Sequence, residues 1–256
     1  MTLSLPVRFY RAVPTDRPEG LVTEVWDLDP ARVALVALHC WNVGCPGGVP
    51  VPRDYWVFMG SPDNHVAMWQ VVTEQIVPAM QAARQAGVAV VHVQPESVAA
   101  RYPDCQPPLP PEPAGLPGPA PISNHMAERA SRVHGKGYLE WEGWAQLDTA
   151  APTRPQPGDT MVVTTRQFDA WLRARGIDTL LYTGFATNLC ILDSPAAIRA
   201  MAGLGYRCVI MREGTLGVEF PDTLAARVHT EAAIRYLESW WGYSSSLADF
   251  ISACRG

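Results

Sequence analysis

The uninterrupted apolar run Val33–Leu38 (VALVAL) and a second run, Val88–Val93 (VAVVHV), apolar except at His92, constrain the fold of this chain more than any other feature. A strand that is apolar at every position has both faces covered, as in parallel sheets flanked by helices. Between the runs, Val66, Trp69, Val72, Ile76, Met80 and Ala83 recur at three- and four-residue intervals, which predicts a helix over Val66–Ala86 closed by Gly87. Strand, helix and strand within about sixty residues form a βαβ unit with a right-handed crossover.

The rhythm resumes in the second half. Met161–Thr164 reads as a strand, and Gln167–Arg175 as a helix ended by Gly176. Thr179–Thr183 reads as a strand, and Ile191–Leu204 as a helix ended by Gly205. Tyr206–Met211 is a further strand and Thr223–Trp240 an amphipathic helix with Ala225, Val228, Ala232 and Leu237 on one face. Pro195 predicts that the Ile191–Leu204 helix is kinked or starts late. The expected fold is α/β: a doubly wound, mainly parallel sheet of five to six strands with helices on both faces.

Between the halves, Arg101–Pro121 holds nine prolines and cannot be regular structure. A short helix is expected over Ala127–Val133. Tyr138–Trp144 (YLEWEGW) is an aromatic stretch that packs over the main body or lines a pocket. The whole of 1–256 is expected to be one domain, with an N-terminal extension over 1–30 and a Pro-rich and Trp-rich excursion over 101–155.

With 18% charged and 48% apolar residues and a net charge of −5, the chain lacks the basic stripe that nucleic acid or an anionic membrane would require. No apolar run reaches the ~20 residues of a membrane span. Arg8, Arg11, Asp16 and Arg17 interrupt any signal-peptide core at the N-terminus. Cysteines at 40, 45, 105, 190, 208 and 254 form no CxxC and no even framework, so free thiols in a reducing cytoplasm are expected. The sequence has one lysine, Lys136, against nineteen arginines.

In an open α/β sheet, ligands bind beyond the carboxyl ends of the strands at the point where the strand order reverses. The residues placed there are His39, Gln94 with Glu96, Thr164 and Thr165, Gly184 to Cys190, and Glu213. One of these stretches, Leu180-Leu181-Tyr182-Thr183-Gly184-Phe185-Ala186-Thr187-Asn188-Leu189-Cys190-Ile191, runs from a strand through a turn to a cysteine where a helical pattern begins. Unpaired N–H groups and the positive end of the helix dipole stabilise a thiolate and a nearby oxyanion, so Cys190 is a candidate nucleophile. The competing reading is an inert core thiol, the commoner fate of an intracellular cysteine.

Arg175-Gly176-Ile177-Asp178-Thr179-Leu180, followed by Thr183-Gly184-Phe185-Ala186-Thr187-Asn188-Leu189-Cys190-Ile191, Ala200 and Gly205-Tyr206, resembles the isochorismatase-like cysteine hydrolases. These include nicotinamidases, N-carbamoylsarcosine amidohydrolases and ureidoacrylate amidohydrolases. Val33-Ala34-Leu35-Val36 with Trp41-Asn42 is similar to the family's first strand and its exit, and Gly217-Val218-Glu219 with Asp222-Thr223 to one subgroup's tail. The resemblance implies that Cys190 attacks an amide carbonyl and that water resolves the acyl-enzyme. It also implies an oxyanion hole from the backbone N–H groups of Ala186 and Cys190, and a cis peptide at Phe185–Ala186. Two catalytic positions depart from the pattern. His39 stands where the family has an aspartate, and Val162-Val163-Thr164-Thr165-Arg166 runs through the place of its lysine. Lys136 lies far upstream in a glycine-flanked loop.

The expected function is hydrolysis of a C–N, amide-type bond of a small molecule by a cysteine-dependent enzyme, with Cys190 as nucleophile and His39 as its partner. An imidazole beside a thiol can take its proton and carry the positive charge the lysine would supply. Glu213 or Glu96 would orient the ring, with Thr164 and Thr165 as further support. Trp41, Phe185, Asn188, Trp141 and Trp144 are the expected substrate contacts. No cofactor or metal is expected, and the protein is expected to be a cytoplasmic homo-oligomer, dimer or tetramer. The alternative is a catalytically degenerate member that binds a small molecule or serves a structural role. A metal site built from His39, Cys40, Cys45 and Cys190 is disfavoured, because neighbouring strand residues point to opposite faces. No GxSxG elbow and no GxGxxG turn is present.

Overall fold

The computed structural model describes residues 2–54, 56, 60–110 and 122–256. The stretch 111–121, half of the Pro-rich segment, lies outside the described residues. The strands are β1 (Leu3–Arg11), β2 (Gly20–Leu28), β3 (Val33–Leu38), β4 (Ala89–Val93), β5 (Thr160–Val162), β6 (Thr179–Phe185), β7 (Arg207–Leu216) and β8 (Tyr243–Ser245). They form one sheet in the order β2-β1-β8-β7-β6-β3-β4-β5. All neighbours from β8 to β5 are parallel, and β1 pairs antiparallel with both β8 and β2.

The helices are α1 (Pro62–Val71), α2 (Val77–Gln85), α3 (Glu96–Ala99), α4 (His125–His134), α5 (Thr165–Arg175), α6 (Cys190–Asp193), α7 (Ile198–Gly203), α8 (Val228–Trp240) and α9 (Leu247–Arg255). A π turn over Val72–Ile76 joins α1 to α2, so the helix expected over Val66–Ala86 contains one overwide turn.

Alternation along the strands separates two cores. Leu35, Ala37, Leu181, Val209 and Met211 face α1, α2 and α9 through Met68, Ile76, Met80 and Phe250. Ala34, Val36, Leu38, Leu180, Tyr182 and Ile210 face the other layer through Phe168, Leu172, Ile198, Met201, Ile234 and Leu237. Each large side chain so buried contributes about 1.5–3 kcal/mol. Both faces of β3 are therefore covered by apolar side chains, which is why this strand carries the continuous run seen in the sequence.

The α/β, doubly wound, mainly parallel architecture is the expected one. Among the described residues its strand count is eight instead of five to six. The additional strands are the hairpin β1–β2, from the stretch taken as an N-terminal extension, and β8. In β1, Leu3, Leu5 and Val7 are buried while Ser4 is exposed. That period of two marks an antiparallel strand with one wet face. With only three residues, β8 carries too little pattern to be detected. The helix expected over Ile191–Leu204 is broken into α6 and α7 by Ser194–Ala197, which contains Pro195 and a left-handed Ala196 (φ 61°).

Candidate functional site

Going outward from β3, the chain lays down β4 and then β5. It then returns to the other side of β3 for β6, β7 and β8. The strand order therefore reverses between β3 and β6, and the crevice beyond their carboxyl ends is the switch point of this sheet. Leu38 pairs with Gly184 there. Gly184 has φ 109°, and a Cβ on it would lie 1.8 Å from the Leu38 carbonyl oxygen. Only glycine lets β6 pass this close to the end of β3.

The turn that follows is closed by its own backbone and tied to β7. The Phe185–Ala186 peptide is cis. The Ala186 carbonyl accepts from the N–H groups of Leu189 and Ile191, both at 3.1 Å, and Thr187 N–H donates to Leu216 O at 3.1 Å. The hydroxyls of Thr187 and Thr215 are 2.7 Å apart, and Thr215 Oγ1 donates to Gly184 O at 2.8 Å. Asn188 pairs with the main chain of Val218 through both ends of its amide, accepting from the N–H at 2.9 Å and donating to the carbonyl at 3.4 Å. Cys190, half-buried, is the first residue of α6. Among the described residues, no acceptor is bonded to the N–H groups of Ala186 and Cys190.

His39 leaves β3 on the other side of the crevice in a left-handed conformation (φ 52°) that costs a non-glycine residue energy. Its N–H donates to Val93 O at 3.1 Å, and its carbonyl accepts from Trp41 N–H at 2.9 Å. The ring lies on Trp41, with centroids 4.7 Å apart. Nδ1 is buried with no hydrogen-bond partner. Burial pushes the His39 pKa down to about 4, so the imidazole is neutral at pH 7. Beside it, at the end of β4, Gln94 donates from Nε2 to Thr149 Oγ1 at 3.1 Å, and its Oε1 is buried without a partner. The site floor therefore carries one unpaired imidazole nitrogen and one unpaired amide oxygen. Among the described residues, no hydrogen bond joins the His39 ring to Cys190.

The other expected site residues have separate occupations. Thr164 caps α5, accepting from Gln167 N–H at 3.1 Å, and Thr165 accepts from Ala196 N–H at 2.9 Å. α5 starts three residues after the end of β5, so the hydroxyls of Thr164, the α5 cap, and Thr165 occupy the stretch where the resemblance places a lysine. Glu213 accepts from Leu247 N–H at 2.8 Å at the start of α9. Glu96 and Lys136 are exposed. Trp41 and Phe185 are buried and, with Cys45, His65, Met68, Trp69 and others, line an enclosed cavity of about 10 Å³ under α1. Trp141 and Trp144 pack edge to face at 5.1 Å, and Trp144 Nε1 donates to Tyr138 O at 2.8 Å. The far end of the excursion returns to the site, where Thr149 bridges to Trp41 and Asn42 Oδ1 accepts from Asp148 N–H at 2.9 Å. No group of three His, Cys, Asp or Glu side chains among the described residues is arranged to hold a metal ion.

A sequence model of the isochorismatase domain matches residues 143–238. The ureidoacrylate amidohydrolase of Azorhizobium caulinodans is 31% identical over 194 residues, covering 70% of this chain and 74% of that protein. The chain belongs to the isochorismatase-like superfamily. The ureidoacrylate amidohydrolase of Caulobacter vibrioides is 29% identical over 247 residues, 91% of this chain and 94% of that one. The match to the enzyme of that name from Variovorax paradoxus spans 44% of each chain, at 31% identity. Among solved structures, a cysteine hydrolase from Pseudomonas syringae pv. phaseolicola shares the fold with a TM-score of 0.55 and 18% identity, covering 90% of this chain and 95% of that one. An isochorismatase family protein from Desulfovibrio vulgaris does so with a TM-score of 0.53 and 18% identity, covering 88% and 99%.

Within this isochorismatase-like chain, the cysteines differ in setting. Burial pushes the Cys40 thiol up to about 12, with nearby Cys45 adding to the rise, and pushes Cys45 and Cys254 up to about 11. Cys208 is fully inside, and its thiol is raised by burial. Thr149 was not foreseen at the site. It follows a proline-rich region with no periodic pattern, and only folding back against Trp41 brings it to Gln94. Gln94 itself was legible as a strand-end residue, though not as an unpaired acceptor.

Proposed function

We propose that the protein is a cysteine-dependent hydrolase of a C–N, amide-type bond in a small molecule, with a ureido or carbamoyl compound as the leading substrate class. One observation carries the reading: a cysteine opens α6 at the switch point, after a turn whose Ala186 and Cys190 N–H groups have no acceptor among the described residues. Backbone donors left without acceptors are what a tetrahedral oxyanion can use. The similarity to ureidoacrylate amidohydrolases over most of the chain supports amide chemistry.

In this reading His39 is a neutral base. A preformed thiolate–imidazolium pair would put a cation where burial disfavours it by about 3 kcal/mol, taking 1.36 kcal/mol per pKa unit. The proton therefore moves from Cys190 Sγ to His39 as sulfur attacks the carbonyl carbon. Collapse of the tetrahedral intermediate breaks the C–N bond, and the imidazolium returns its proton to the leaving nitrogen. Water then adds to the thioester, giving a proton to His39, and the C–S bond breaks to release the acid and restore the thiol. The substrate is a small molecule and the enzyme a cytoplasmic homo-oligomer, with no nucleic-acid or membrane partner.

A second reading, a degenerate member that binds without turnover, is favoured by the ring of His39 lying on Trp41 with no hydrogen bond to Cys190. One experiment separates them. The purified protein is assayed for ureidoacrylate hydrolysis, and its thiols are mapped by mass spectrometry after limiting iodoacetamide across pH. Turnover that is lost in Cys190→Ala, with Cys190 alkylated ahead of Cys40 and Cys208, supports the hydrolase. No turnover, with Cys190 alkylated no faster than those two, leaves the binding protein.

A further inference from the structure

The strap that leaves β7, Gly217 to Glu219, runs alongside the Cys190 turn and is held from both sides. Asn188 of the turn pairs with Val218, as described above. From the other side Asn64, fully buried on α1, donates to Gly217 O at 3.2 Å and accepts from Glu219 N–H at 3.4 Å. Gly217 sits tightly in this clamp: a Cβ on it would lie 3.1 Å from Asn188 Oδ1 and 3.2 Å from Thr230 Oγ1.

Glu219 ends the strap with a carboxylate that has no solvent exposure. Its oxygens accept from His229 N–H at 3.1 Å, Thr230 N–H at 2.8 Å and the Thr230 hydroxyl at 2.7 Å. Burial alone would raise its pKa. The bonds from Thr230, Thr223 and His229 outweigh burial and hold it below the usual range, so the group is a carboxylate. A helix start is ordinarily capped by the residue just before it. Here that residue is Arg227, left-handed at φ 50° and making no side-chain cap bond, and the cap comes from the strap instead. A carboxylate only accepts, so the Thr230 hydroxyl must donate to it and turn a lone pair to Gly217 N–H, which donates at 2.8 Å.

We propose that Glu219, acting through Thr230 and the Gly217–Glu219 strap, is a positioning residue for Cys190. The assignment rests on Cys190 being the nucleophile. The carboxylate fixes the direction of the Thr230 hydroxyl, the hydroxyl fixes the strap, and the strap fixes Asn188, two residues ahead of Cys190. Ile234 and Leu237 anchor α8 in the core, so the cysteine turn is referenced to a rigid helix.

The test compares wild type with Thr230→Val, Thr230→Ser, Glu219→Gln and Asn188→Ala. It reads the pH profile of iodoacetamide alkylation at Cys190, kcat and KM for ureidoacrylate hydrolysis, and Tm. Thr230→Val and Glu219→Gln should slow Cys190 alkylation about tenfold, the effect of one lost oriented hydrogen bond, displace its pH midpoint and lower kcat at nearly constant KM. Thr230→Ser should restore all three. Asn188→Ala frees the turn while leaving Glu219 and α8 intact, and should displace the alkylation profile with a smaller loss of Tm. Variants that lower Tm while leaving the Cys190 profile and kcat at wild-type values would overturn the assignment. If Thr230→Val does not fold, an unchanged profile in Asn188→Ala overturns it alone. Failure of the nucleophile reading shows separately, in wild type, as Cys190 alkylated no faster than Cys40.

Discussion

The turn after β6 and the exits of β3 and β5 lie at the same edge of the sheet, and they are built in different ways. The turn is held by its main chain: Ala186 O bridges Leu189 and Ile191, Thr187 N–H reaches Leu216, and Asn188 pairs with Val218. At the strand exits the candidate roles rest on individual side chains, His39 after β3 and Thr164 and Thr165 after β5. Geometry made by backbone bonds demands a whole run of compatible residues, so it leaves a long motif. Chemistry carried by a single side chain can change while the surrounding fold stays intact.

His39→Asn should have the largest effect on this contrast. Asparagine accepts the left-handed backbone but is not a base, so kcat for ureidoacrylate hydrolysis should fall about 10²–10⁴-fold with little change in Tm. An unchanged kcat would remove His39 from the chemistry. Gly184→Ala attacks the scaffold instead, by driving a Cβ into the Leu38 carbonyl at positive φ. A loss of about 3 kcal/mol or more in urea unfolding is expected.

Acid stability sharpens the comparison further. The His39 pKa of about 4 lies below the ordinary 6.5, so the unfolded chain binds the extra proton between these values. The stabilisation from a neutral His39 is complete above pH 6.5 and is lost as pH falls through 4. Wild type should therefore lose about 3 kcal/mol more than His39→Asn between pH 7 and pH 4 in chemical denaturation. Equal losses would place the ring in contact with water. The smallest effect is expected from Thr164→Ala, which removes the α5 cap and should cost about 1 kcal/mol, seen as a modest drop in Tm.

Much of the candidate site was legible because its determinants are local. The strand-to-helix delivery of Cys190, the departure at His39 and the missing lysine could each be named from consecutive residues. The assignments made by residue type alone fared differently. Asn188, expected to touch substrate, spends its amide on Val218, and Glu213, expected near the imidazole, holds the start of α9. Trp41 and Phe185 turn into an enclosed cavity under α1. An aromatic or polar side chain beside the Cys190 turn has many partners of equal chemical merit, and the sequence does not rank them.

By itself, the sequence determined the α/β class, the parallel core strands and the position of the cysteine, because apolar periodicity and turn residues act over a few neighbours. Only the tertiary structure decided that the first thirty residues supply two strands. It also decided that Thr149 returns to Gln94, that His39 is held neutral by burial and that Glu219 is tied to the cysteine turn through Thr230. Each of these depends on which distant segments exclude water from one another, a property no local window contains.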